Sequence, residues 1–129
     1  MYVRCKPGVR FDVIAPAGFR ILGAIERVAR ERLKCDLTIT CACEAHATTN
    51  PHALGEAYDI RTHGLDPDQR QTLLRRLMIE LSGGVDDMPM EVSGGLATQY
   101  FFAWIEHVGL PNEHLHVQRR KHTQYGEVA

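Results

Sequence analysis

Two short stretches carry residue types that could do chemistry together. The first, NPHALGEAYDI at residues 50–60, sets His52 and Asp59 on either side of Gly55. The second, NEHLHVQ at 112–118, holds His114 and His116 in an H-x-H, with Glu113 directly before them. H-x-H on a strand presents both imidazoles on one face, because successive side chains alternate. His52 stands in a loop, where its direction is not tied to the pleat. A loop histidine, a strand carboxylate and a strand histidine can converge on one ion. Two imidazoles and one carboxylate suit zinc with an open fourth position, where a bound water has its pKa lowered to about 7. Each residue also has an ordinary reading. A lone histidine is more often a surface or hydrogen-bonded group, Asp59 can pair with Arg61 on its own face, and Asn50-Pro51 can be only a turn. The combination is harder to produce by accident than any one part.

Elements must position these groups. Residues 17–34 place Phe19, Leu22, Ile25, Ala29 and Leu33 at three- and four-residue spacing among charges, which predicts an amphipathic helix. CDLTITCAC follows, and its alternation through Leu37, Ile39 and Cys41 predicts a strand. GEAYDIRT predicts another, with Ala57, Asp59 and Arg61 on one face and Tyr58 and Ile60 on the other. In LDPDQRQTLLRRLMIELSGG, Asp66 is the N-cap, Pro67 takes the first helical position and Gln69 completes a capping box. Leu73, Leu74, Leu77, Met78 and Leu81 form the buried stripe of that helix, and Gly83-Gly84 ends it. GGVDDMPMEVSGG reads as a loop or an irregular hairpin arm. TQYFFAWIEHVG and EHLHVQRR read as two strands joined by LPN. Without strict strand–helix alternation, the order predicts an α+β domain with a mainly antiparallel sheet and helices packed on one side.

Composition narrows the function classes. At 129 residues the chain has the size of one domain, residues 1–129. Its hydrophobic fraction of 44%, charged fraction of 24% and net charge of -1 give no bulk field for nucleic acid or anionic lipid. No apolar run approaches the roughly 20 residues of a membrane span, and MYVRCKPGVRFDV does not pattern as a secretory leader. These features predict synthesis in the cytosol, where Cys5, Cys35, Cys41 and Cys43 default to thiols. Cys41 and Cys43 form a C-x-C, a weaker zinc signal than C-x-x-C, and a structural site built on them is a further reading.

HALGEAYD fits H-x-x-G-x-A-x-D, and EHLH fits both E-x-x-H and H-x-H. With both motifs in this order, roughly residues 17–119 resemble the zinc D,D-peptidase family. That family includes D-alanyl-D-alanine carboxypeptidases, dipeptidases and phage L-alanyl-D-glutamate endopeptidases, and it shares its fold with the signaling domain of hedgehog proteins. The resemblance implies that His52, Asp59 and His116 bind zinc. It implies that Glu113 is the catalytic acid/base and that His114 lines the site, reaching the oxyanion or substrate. Two departures stand out. Many relatives have Ser two residues before the first ligand, where this chain has Asn50. Many also carry S-G-x-R-S on the strand upstream, whose arginine stabilises the oxyanion. Here TCACEAHATTN has Glu44 and His46 in that neighbourhood, and His46 or His114 is the candidate replacement.

The function expected is a zinc-dependent peptidase cutting peptidoglycan stem peptides. The resemblance favours a monomeric L-alanyl-D-glutamate endopeptidase of phage-lysis type, reaching the bacterial wall after release from the cytosol, with no nucleic-acid or membrane partner. Cleavage within the stem is preferred to removal of terminal D-alanine because no arginine lies inside either motif to bind a terminal carboxylate. The segment Gly83 to Gly95 is the expected wall of an open substrate groove. The alternatives are a D-alanyl-D-alanine carboxypeptidase, or a non-enzymatic zinc-binding module such as a phage structural component.

Overall fold

The computed structural model describes residues 2–44 and 50–120. His46 and His122 lie outside the described residues. Seven strands form one sheet in the order β1-β2-β3-β7-β6-β5-β4. They are β1 (Val3–Cys5), β2 (Leu37–Cys41), β3 (Ala57–Arg61), β4 (Met90–Val92), β5 (Gly95–Ala97), β6 (Phe101–Glu106) and β7 (His114–Arg119). Only β1 and β2 pair in parallel. All other neighbours are antiparallel, as the α+β reading expects.

Register sorts the residues into two faces. On one face, Ile39, Ile60, Leu115 and Ile105 stand opposite one another across four strands, and Tyr58, Val117, Ala103 and Leu96 form a parallel row. All but the partly buried Ile105 are buried. Helices α1 (Pro16–Val28) and α2 (Pro67–Glu80) cover this face and complete the core. On the other face the row is Cys41, Asp59, His116, Trp104 and Gly95.

The second helix follows its sequence signals closely. Asp66 accepts from the Gln69 amide at 2.8 Å, and the Asp66 amide donates to the Gln69 side chain at 3.0 Å. Leu73, Leu74, Leu77 and Met78 are its buried residues, with Leu81 buried just beyond. The first helix is rotated from expectation. Its buried row is Gly18, Ile21, Ile25 and Val28, while Phe19 is 64% exposed and Leu22 only partly buried. Ile25 and Ala29 are buried as expected, so the shift concerns the first turns, where Gly18 and Ile21 take the inward places of Phe19 and Leu22. Gly18 sets that rotation. A Cβ there would collide with the Gly55 carbonyl, so a position without a side chain faces the loop that carries His52. A π-helical turn at Ala29–Leu33 follows α1 and ends at Lys34 in the left-handed region.

Residues 83–95, read as a loop or an irregular hairpin arm, contain a 3-10 turn at Val85–Asp87 and supply β4 and the start of β5 to a hairpin. The hairpin borders a cleft with Gln71, Leu74 and Arg75 of α2, so it walls the helical side rather than the face that bears Asp59.

Gly55 has φ +72°, and a Cβ on it would strike the Val13 carbonyl. Gly55→Ala is expected to cost about 1–3 kcal/mol from backbone strain alone. Urea unfolding measures this. A variant as stable as the parent would mean that the α1–loop contact does not fix the loop.

Candidate metal centre

The H-bonded row across β3 and β7 sets Asp59 opposite His116. His116 Nδ1 lies 2.8 Å from Asp59 Oδ1. The β2–β3 loop brings His52 above them, with His52 Nε2 at 3.3 Å from His116 Nδ1 and 3.4 Å from Asp59 Oδ1. Three donor atoms from three chain segments therefore enclose one point. Tetrahedral zinc with ligands at about 2.0–2.1 Å spaces its donors about 3.3 Å apart. Two of the three spacings match that value, and the third is a hydrogen-bond length that binding would open.

The loop is built to hold His52. Asn50 makes an Asx turn, its side-chain oxygen accepting the His52 amide at 2.9 Å. The Leu54, Gly55 and Glu56 amides close the turns that follow. At the far end the Gly55 carbonyl accepts from the Ala15 amide at the start of α1 and from the Tyr58 hydroxyl. Asn50, where many D,D-peptidases have Ser, thus has a local structural role here.

His116 is oriented from its other ring atom. Nε2 lies 2.8 Å from Gln118 Oε1, two residues along the same strand face. A proton held there leaves Nδ1 bare to ligate, the arrangement seen when a second partner fixes a metal-binding imidazole. Trp104 packs on the ring at 4.3 Å between centroids. Gln118 was legible from its i+2 spacing to His116. Trp104 required the β6–β7 register, which the sequence does not encode locally.

Asp59 is held by histidines, not by Arg61. Burial would raise its carboxyl, but hydrogen bonds from His116 and His52 and their charge outweigh that and hold it well below the ordinary range. For His116, burial would lower the imidazole, while hydrogen bonds to Asp59 and Gln118 raise it overall.

Cys41 joins the group. Its sulfur, a His52 ring nitrogen and an Asp59 oxygen all lie within 4.8 Å of one another, so these residues could hold a metal ion. Burial is the main cause that pushes this thiol up to about 12 in the metal-free protein. Cys43 is elsewhere, its sulfur against the Val13 carbonyl at 3.4 Å, so the C-x-C does not act as a pair. No disulfide joins any of the four cysteines.

His114 and Glu113 take different positions. His114 is on the same face as Asp59 and His116, its Nε2 3.8 Å from both Asp59 Oδ2 and Glu106 Oε1. It borders a cleft of about 400 Å³ with Cys41, Asp59, Arg61 and Lys6. Glu113, expected as the acid/base, borders the same cleft, but its carboxylate is turned away and 1% exposed. Arg70 of α2 reaches it at 3.0 Å and the Gly109 amide at 2.8 Å. Strand parity explains this placement: one residue before His114, Glu113 falls on the helical side with Leu115 and Val117. Burial would raise that carboxyl, but hydrogen bonds from Thr62 and Gly109 and the Arg70 charge hold it below the usual range.

Compared with protein-family models, with curated proteins and with solved structures, the chain matches none.

The two shifts fix a stability window for the metal-free protein. Asp59 contributes above its unfolded pKa of about 3.9, and its share is lost as pH falls through the lower folded value. His116 contributes below its unfolded pKa of about 6.5, and its share is lost as pH rises through the higher folded value. The pair therefore stabilises most between about pH 4 and 6.5. Denaturation of His116→Gln across pH should show the loss on the alkaline side flattened. An unchanged alkaline limb would remove His116 from this account.

Proposed function

We propose that the chain is a zinc-dependent peptidase acting on peptidoglycan stem peptides, with cleavage between L-alanine and D-glutamate. One observation carries the reading: His52, Asp59 and His116 present three donor atoms 2.8–3.4 Å apart beside a cleft on the sheet face away from the helices. Bound zinc would supply Lewis acidity toward a peptide carbonyl and a water of lowered pKa. The chain's own residues do the rest. His52, Asp59 and His116 would hold the ion, and Gln118 would keep the His116 tautomer that ligates.

His114 is the group placed to handle the proton. Its Nδ1 sits 3.0 Å from the Asn112 carbonyl, which accepts the ring N–H and leaves Nε2 as an acceptor toward the cleft. Asp59 Oδ2 and Glu106 Oε1 each lie 3.8 Å from that Nε2, at the edge of the cleft. Glu113 has the simpler role of anchoring the start of β7 to α2 through Arg70.

A second reading has its own support. Arg61 and Lys6 line the cleft and offer cations to a peptide's terminal carboxylate, which suits a D-alanyl-D-alanine carboxypeptidase. Incubating zinc-loaded protein with purified sacculi separates the two. New N-terminal glutamate marks the endopeptidase, free D-alanine the carboxypeptidase, and no released product at all leaves a non-enzymatic zinc-binding module.

Two substitution series check the residues. Elemental analysis should find one zinc per chain, mostly lost in His116→Ala. His114→Gln should keep zinc and lose about 10²–10⁴-fold in rate, as removal of a general acid/base does. Glu113→Gln should instead lower stability by about 2 kcal/mol, from weakened hydrogen bonds to a charged group, with most activity kept. If Glu113→Gln were as stable as the parent but inactive, the assignments of Glu113 and His114 would have to be exchanged.

A further inference from the structure

We propose that Cys41 is the fourth protein ligand of the metal held by His52, Asp59 and His116, so that the loaded site rests closed by a thiolate. The inference builds on the metal site of the proposed peptidase and adds a regulatory state to it.

The sheet itself points to this. Leu37, Ile39 and Cys41 alternate in β2, and regular pleating would keep all three on the buried face. The pairing with β3 is not regular. Ile39 stands opposite Ile60, but Cys41 stands opposite Asp59, a register shift between the two. A bulge of this kind turns the following side chain to the other face of the sheet. It brings Cys41 into the row of Asp59 and His116, with its sulfur within 4.8 Å of the Asp59 oxygen and the His52 nitrogen. Metal–sulfur bonds of about 2.3 Å beside metal–nitrogen bonds of about 2.0 Å need a sulfur–nitrogen spacing near 3.5 Å. Cys41 would close to that spacing from the end of its strand, as the last residue of β2.

Charge favours the same set. His52 is 4% and His116 7% exposed, so a divalent ion there is largely removed from water. With Asp59 as sole anion the site would keep a net positive charge in a poorly solvated position. A Cys41 thiolate brings the balance to zero. On binding, the sulfur–metal bond forms as the thiol proton leaves to solvent, with no change of oxidation state. Four segments then each supply one ligand: the end of β2, the β2–β3 loop, β3 and β7. Turnover requires the sulfur to leave so that water can enter.

Cobalt(II) added to the metal-free protein without oxygen is the test, read by absorption spectroscopy. The expected spectrum has intense near-ultraviolet thiolate-to-cobalt charge transfer together with tetrahedral visible bands, at one equivalent. Cys41→Ser should lose the charge-transfer band and keep the visible bands, and Cys43→Ser should keep both. In the unsubstituted protein, cobalt should also protect Cys41 from alkylation, located by peptide mass spectrometry, which covers the case of a variant that fails to fold. Visible bands without charge transfer would overturn the fourth ligand and leave the three-ligand site standing. Absence of any cobalt binding would overturn the metal site and the fourth ligand together. A charge-transfer band that persists in Cys41→Ser would assign the sulfur to another cysteine and overturn the proposal.

Discussion

The pairing of Asp59 with His116 across β3 and β7 is the constraint on which the rest depends. Directly opposed residues in an antiparallel pair bring their Cβ atoms to about 4.5–5.5 Å, close enough for a carboxylate and an imidazole to meet. Nothing in those two side chains alone would fix the register. The other face does that. Ile60 opposes Leu115 and Tyr58 opposes Val117, all with 0% exposure. A slip of one residue would carry Asp59 and His116 into that apolar layer and expose the aliphatic row. Burial of the core and the meeting of Asp59 with His116 are thus one choice of register, made by hydrophobic energy.

His52 is the ligand that the sheet cannot supply, and its placement has a separate cause. The loop that carries it is clamped at both ends: by Asn50 at the turn and by the contact of Gly55 with Gly18 at the start of α1. The same contact sets the rotation of α1, so the helix packs its Ile21–Ile25–Val28 row because Gly18 faces the loop. The loop that carries His52 and a helix's buried face are coupled through one close approach of two glycines.

These couplings explain what could be read from residue types. Both helices and the strands at 37–41 and 57–61 follow from local periodicity, which short segments carry within themselves, whereas His52, Asp59 and His116 were singled out as one set by the motif resemblance and meet only through the β3–β7 register. The rotation of α1 was not legible, because 3.6-residue periodicity fits Phe19–Leu22–Ile25 as well as Ile21–Ile25–Val28, and the choice rests on Gly55, distant in sequence. The choice between loop and hairpin arm at 83–95 stayed open, because the acidic and glycine-rich composition fits both. Trp104 over His116 and Cys41 beside Asp59 depend on inter-strand register and on a bulge, which no single stretch of sequence specifies.

Glu113 and His114 show how one residue of parity redistributes chemistry. E-x-x-H and H-x-H overlap in EHLH, and both spacings cannot point to the same face of a regular strand: a separation of two keeps the face and a separation of three reverses it. E-x-x-H places its glutamate beside the metal only if the pleat begins after that residue. Here Thr62 donates its backbone amide to the Glu113 carbonyl at 3.2 Å, so the β3–β7 ladder reaches back to Glu113 and its side chain follows the alternation to the helical side. Arg70 is there to meet it, 23% exposed and 3.0 Å away, which makes the turned-away orientation electrostatically satisfied. His114, at the even separation, keeps the face of His116 and gains Asp59 and Glu106 as neighbours. Which of these two side chains faces the cleft-bearing side of the sheet is therefore tied to where β7 begins. Pro111 and Asn112 mark that boundary, since proline restricts the residue before it and the Asn112 carbonyl holds the His114 ring in its tautomer.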